Sequence, residues 1–346
     1  MSELLFEATP DRLVDEGQLQ LGIFRTPISE VNLDQARVPG STAMGSRFKL
    51  KEWQHWMVVS PELMLTMAIV DIGYLKLSWI QAVELDTGIR HEWSGQSPLV
   101  RCRLSRSLWD DRCHFLQRGQ KLRFHNQLSE GRHQLQIQGA PTKALPEISG
   151  ELEVLHDLSA IDPLVVCMPV GEQRAMYSHK VPLPVQGEIH LGHRTYRLSL
   201  SDSIAFSDIH KAHYPRHTWW DWACFAYHAE DGRMIGLNLT HGMAQDPDRF
   251  TENAVWLDGN PQRLGPARFE RNRGDLMQPW RVTTECGRAE LRFIPQGGRS
   301  EDLDAGLISS NFQQLYGRWS GTLRHGKETL SFEGVMGLGE DHECHW

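Results

Sequence analysis

Apolar residues along this chain recur mostly two apart, seldom three or four apart. Period two is that of a half-buried β-strand, because successive side chains point to opposite faces of a sheet. Segment 133–138 (HQLQIQ) alternates cleanly, with Leu135 and Ile137 on one face and polar residues supplying the rest. Segments 48–59, 63–72 and 74–83 are predicted strands. Trp53 and Trp56 take opposite faces of the first, and Gly73 marks a bulge or a bend. Short candidates follow at intervals of roughly 8–12 residues, the spacing of an all-β sandwich or barrel. Glu230-Asp231-Gly232, Asp258-Gly259-Asn260-Pro261 and His325-Gly326-Lys327 supply turn chemistry between them. Helix signals are few. Residues 10–16 (PDRLVDE), with Pro10 near the start and Gly17 just past the end, predict one short helix, and 155–161 another short turn.

Stretches 139–151 and 169–187 are the richest in Pro and Gly, and Pro182 and Pro184 bracket Leu183 just before a new strand. The division is therefore expected near residue 180: an N-terminal segment over 1–40, a first β-barrel domain over 41–180 and a second over 181–346. Each half is long enough for its own core.

Composition narrows the function classes. Lys and Arg total 36 against 44 Asp and Glu, a formal net charge of −8. That balance argues against nucleic acid as a partner, which needs a basic footprint. No run of eighteen apolar residues exists, so no transmembrane segment is expected. Six scattered cysteines without a CxxC pair suit reduced, buried thiols, and the acidic N-terminus lacks the pattern of a signal peptide; the expected location is cytoplasmic. The 12 Trp match the 12 Phe, which suggests either a Trp-rich core or aromatic walls around a ligand. The motifs GxSxG, GxGxxG and GxxxxGK[ST] are absent, so neither a Rossmann nor a P-loop cofactor is expected.

Candidate chemistry is densest at 208–222 (DIHKAHYPRHTWWDW). On a strand over 204–213, Asp208 and His210 share a face beside Phe206. On a strand over 218–228, Trp220, Trp222 and Cys224 share one face, and Trp219, Asp221 and Phe225 the other. A carboxyl buried beside large aromatics is expected to have a raised pKa and to serve as a proton donor. The competing reading is a satisfied core pair. His210, His213 and His217 have helix-type metal spacing, but Pro215 interrupts them and strand geometry sends His210 and His213 to opposite faces, so no metal is expected. Segments 236–242 and 251–259 pair around a loop. Asn238 and Thr240 share one face, and Glu252, Trp256 and Asp258 another; once buried, they need partners, either one another or a bound polar group. At the C-terminus, Glu340, His342 and Cys344 would share a face of a strand, although a ragged exposed end is the simpler expectation. Glu340 and Asp341 close the last strand, where one carboxylate could sit at a barrel mouth.

Taken in order, 53–74, 179–189, 213–223, 236–242, 251–259 and 337–346 resemble a mostly bacterial family catalogued as domain of unknown function 2804. More remotely, the pattern is similar to two-barrel, lipocalin-like proteins that include carotenoid hydratases, tocopherol cyclases and fungal Diels–Alder cyclases. That resemblance implies an all-β fold of two calycin/lipocalin-like antiparallel β-barrels packed together, with few short helices and a largely apolar pocket. None of those enzymes' catalytic residues aligns by motif, so the resemblance assigns no residue here. The resulting expectation is a pocket for a lipophilic or polyene-like small molecule, with acid-catalysed hydration, isomerisation or cyclisation if the protein is an enzyme. Asp208 is the expected acid, tuned by His210. Trp219, Trp220, Trp222 and Trp256 are the expected walls, with Asn238 and Glu252 as polar contacts. The alternatives are a non-catalytic lipid carrier and a carbohydrate-binding β-protein, the latter with its Trp cluster in an open groove.

Overall fold

A computed structural model describes residues 5–304, 306 and 308–346. Strands account for 61% of the chain and helices for 4%, so the period-two pattern is the dominant organising signal. Two large curled antiparallel half-barrel sheets of 14 and 9 strands make up the fold, with a two-stranded hairpin near the N-terminus. No helix among the described residues is long and apolar enough to cross a membrane.

The expected helix over 10–16 is instead that hairpin, Val14–Asp15 against Gln18–Leu19. Glu16 and Gly17 both adopt positive φ (47° and 81°), the conformation of a two-residue type I′ turn. A turn of that kind reverses the chain where a helix would have continued it. The only described α-helix, Ala43–Lys49, was not expected. Its Thr42 side chain accepts a hydrogen bond from the Gly45 N–H, a regular N-cap. Gly73 is a bend, not a bulge. It turns the chain between strands Leu63–Asp71 and Lys76–Glu84 at φ 89°, and a Cβ there would lie 2.1 Å from the Phe48 carbonyl oxygen.

Segment 169–187 lies within strands Leu164–Gly171 and Arg174–Leu191. One side of the longer strand pairs with Leu164–Gly171 up to Lys180 and with Ile148–Leu155 from Val185 onward. On that side, residues 181–184 have no ladder partner. Pro182 and Pro184 fall there, where a missing N–H costs least. On its other side this strand pairs continuously with Ile204–Ala212. The chain leaves the first sheet at Ala212 and enters the second at His217, with Pro215 in the link. Residue 180 thus lies within a strand of the first sheet.

Alternation sorts the side chains of both sheets. On strand His217–His228, Phe225 packs into a cluster with Trp280, Phe293 and Trp319, while Trp220, Trp222 and Cys224 join the main core cluster. That second face opposes strands of the first sheet.

Candidate functional site

Two rows of side chains on each sheet face one another across a cavity of about 260 Å³ that is partly open to solvent. The rows follow from register. On the first sheet, Lys180, Asp208, His55, Ala68 and Trp79 stand opposite one another across five strands. The next row runs Ser178, His210, Trp53, Val70 and Leu77. On the second sheet, one row runs Arg299, Gln314, Glu340, Trp222 and Thr240. Its neighbour runs Glu301, Phe312, His342 and Trp220. The sheets touch through Trp53 and Trp220 (ring centroids 6.0 Å), His55 and Trp222 (5.6 Å) and Trp79 and Phe312 (6.1 Å).

The first wall carries an ion pair. Lys180 Nζ lies 2.6 Å from Asp208 Oδ1 and 3.5 Å from Glu252 Oε1, and sits 5.1 Å from the Trp222 ring centroid. Trp53 Nε1 donates to the other Asp208 oxygen at 3.2 Å. Burial is the largest single influence and would raise Asp208, but the charge and hydrogen bond of Lys180, together with smaller contributions from His210 and His55, outweigh it and hold the carboxyl below its ordinary range. Burial likewise opposes the Lys180 charge, and Asp208 and Glu252 outweigh it, so Lys180 stays an ammonium. Asp208 is therefore a charged carboxylate and not the raised-pKa acid expected from its aromatic surroundings. Glu252 is different. Burial dominates there and pushes it up, because Lys180 stands farther away, at 3.5 Å.

His210 stacks flat on Trp53 (3.9 Å, 1°) and shares a 2.6 Å hydrogen bond with Tyr214 Oη through Nε2. Burial lowers His210 to about 3, His55 to about 4 and His342 to about 3, so all three are neutral imidazoles. The second wall holds Glu340. Trp220 Nε1 donates to its Oε1 at 2.6 Å, and Gln314 Nε2 to its Oε2 at 2.9 Å. Both donors are neutral. Burial is then the largest influence and moves Glu340 up to about 7.

Of the residues singled out in the sequence, Asp208, His210, Trp220, Trp222 and Glu252 line this cavity. Asn238 stands behind it, accepting from Trp222 Nε1 at 2.7 Å and donating to the Glu252 carbonyl at 2.6 Å. Trp219 and Trp256 do not line it. Trp219 occupies the opposite strand face, edge-on to His241. Trp256 is fully buried in the core, with Nε1 donating to the Asp162 carbonyl. Within segment 251–259 the strand begins only at Ala254, so Glu252 enters the site from an irregular stretch. His210, His213 and His217 go to separate places: Tyr214, the Ser46 carbonyl and Glu343. Among the described residues, no group of three or more His, Cys, Asp or Glu could hold a metal ion.

Sequence reasoning missed Lys180, Trp53, His55, Arg299 and Gln314. One signal was present: Lys180 directly precedes the apolar run 181–185 (VPLPV), and a charge drawn into the core with it demands a partner. The C-terminus is not ragged. Strand Glu328–His345 carries Glu340 and His342 into the cavity and buries Cys344.

Architecture and site define a two-sheet β protein with a cavity, partly open to solvent, between its sheets. Residues 6–346 match the family model described as a domain of unknown function (DUF2804), and the chain belongs to that family. No curated protein gives a significant match. Among solved structures, the crystal structure of CghA is similar at 11% identity and a TM-score of 0.54, covering 93% of this chain and 97% of its own. CghA with Sch210972 gives 0.48 at 11% identity over 97% of each chain. A provisional AttH from Nitrosomonas europaea gives 0.47 at 14% identity, over 89% of this chain and 98% of its own. At these identities the first likeness speaks to fold alone.

Proposed function

We propose that this protein binds a lipophilic or polyene-like small molecule between its two sheets and acts on it by acid-catalysed hydration, isomerisation or cyclisation. The proton donor in this reading is Glu340, not Asp208. One observation carries it: a single cavity combines a buried carboxyl held only by neutral donors with stacked aromatic faces. The Glu340 proton passes to one carbon of a double bond, whose π pair forms the new C–H bond. The resulting cation lies against the faces of Trp53, Trp220 and Trp222, which favour positive charge. Loss of a neighbouring proton to the free Nδ1 of His210 completes isomerisation or cyclisation, and capture by water completes hydration. Asp208 and Lys180 stay paired and set the field of the opposite wall. The volume falls just below the range of about 300–1,000 Å³ typical of drug-sized ligands, so the cavity suits a small molecule or one end of a longer polyene. Six free cysteines are consistent with a cytoplasmic setting.

A carbohydrate groove calls for Trp faces open to solvent, yet Trp220 and Trp222 are only 6% and 4% exposed. The carrier reading is decided by experiment. Native mass spectrometry of freshly purified protein is expected to show a lipid-sized increment. The extracted molecule is then returned to the protein in D2O. Carbon-bound deuterium is expected with the wild type and not with Glu340→Gln. An unchanged molecule from the wild type makes the protein a carrier, and equal deuteration by the variant removes Glu340 from the acid role.

A further inference from the structure

The second wall holds hydrogen-bonding capacity that a pure hydrocarbon would leave unused. Arg299 and Gln314 are cross-strand neighbours on the cavity face, 4% and 3% exposed. Arg299 Nε lies 3.4 Å from Glu92 Oε1 and Nη2 lies 3.4 Å from Glu301 Oε1, while the guanidinium packs against both Trp79 (4.2 Å) and Phe312 (5.2 Å). Its Nη1 has no partner. Gln314 gives its amide N–H to Glu340 and leaves Oε1 without a partner. A buried donor and a buried acceptor thus stand side by side, unpaired, in the row that also carries Glu340. Leaving such groups unmet is costly, so they mark where a ligand completes the site.

Charge selects the kind of group. Two carboxylates already flank Arg299, so a third anion would be repelled, whereas a neutral acceptor would not. We infer that the ligand carries a neutral amide-type group whose C=O accepts from Arg299 Nη1 and whose N–H donates to Gln314 Oε1. This rests on the small-molecule reading proposed above and adds the substrate class: an unsaturated, mostly apolar amide. Glu340 stands one strand further along the row, about 5 Å at the usual strand spacing. The reacting double bond therefore lies only a few bonds from the amide, and the apolar remainder runs toward Trp222 and Trp220.

The test compares four probes on one skeleton: 2-naphthamide, methyl 2-naphthoate, 2-naphthoate and 2-ethylnaphthalene, each titrated by quenching of Trp fluorescence. The wild type is expected to bind the amide about tenfold more tightly than the ester, which leaves Gln314 Oε1 unmet, and the carboxylate most weakly of the oxygenated probes. This comparison needs no variant. In Gln314→Met, the amide–ester difference is expected to vanish. Equal affinity for amide, ester and hydrocarbon, or a preference for the carboxylate, overturns the amide inference and leaves the lipophilic-pocket reading standing. If no probe binds, 2-ethylnaphthalene included, both fall together.

Discussion

Asp208 and Glu340 stand on opposite walls of one cavity, and burial treats them alike. Each is about 5% exposed, and each accepts a hydrogen bond from an indole N–H, Trp53 for Asp208 and Trp220 for Glu340. They nonetheless shift in opposite directions. Asp208 has an ammonium 2.6 Å away, whereas the second partner of Glu340 is the neutral amide of Gln314. The nearest charge, not the depth of burial, decides which carboxyl is a fixed anion and which can hold a proton near neutrality. An aromatic environment read from sequence therefore points to a site without naming its acid.

The largest effect is expected from breaking the charged wall. Lys180→Met leaves Asp208 buried without its cation, a change that typically costs about 3–5 kcal/mol. Urea denaturation at pH 7 measures it, and adding Asp208→Asn to the variant is expected to recover part of the loss. A single variant within about 1 kcal/mol of wild type would mean that Asp208 is not held as an anion by Lys180.

A somewhat smaller effect sharpens the other side. Glu340 is raised in the folded protein to about 7 from an ordinary 4.5. Its contribution is thus fully present below about 4.5 and is lost as pH rises through about 7, a change of about 3 kcal/mol. His55, His210 and His342 act in the opposite sense. Their depressed values make stability fall as pH drops below their ordinary 6.5 toward 3–4. The useful quantity is the difference between wild type and Glu340→Gln across this range, in which the imidazoles cancel. Wild type is expected to lose stability relative to the variant between pH 4.5 and 7, and a flat difference would show that Glu340 titrates normally.

Alternation along single strands was legible in the sequence, and it placed Asp208 with His210, and Trp220 with Trp222, on the faces that line the cavity. Register between distant strands was not. Nothing local announces that Arg299, Gln314 and Glu340 stand in one row with Trp222, because that depends on pairings closed over tens of residues. For the same reason the partner of Asp208 was missed: Lys180 meets it across a strand pair although the two lie 28 residues apart in sequence. Residues 10–17 misled because Pro at the start and Gly at the end suit a helix, while the Glu16–Gly17 pair equally suits a type I′ turn; Val14 pairing with Leu19 decided for the turn. Trp256 was placed in the pocket by its neighbours' polarity, but its indole found the Asp162 carbonyl inside the core.

The smallest expected effect tests whether strand face governs the aromatic wall as charge governs the carboxyls. Trp219 and Trp222 lie three residues apart on strand His217–His228 and therefore on opposite faces. Trp222 is pinned by its bond to Asn238, lies under the Lys180 ammonium and meets His55 edge-on. Trp219 leans over Gly242, where a Cβ would come within 2.5 Å of its ring, and touches nothing in the cavity rows. Trp222→Leu is expected to weaken 2-ethylnaphthalene binding about tenfold, in keeping with removal of a buried aromatic anchor. Trp219→Leu should change it by no more than about twofold, the scale of a surface substitution. The fluorescence readout loses one indole in either variant, so affinity is best taken from calorimetric titration. A loss at Trp219 equal to that at Trp222 would move the binding surface to the other face of the second sheet, away from Glu340 altogether.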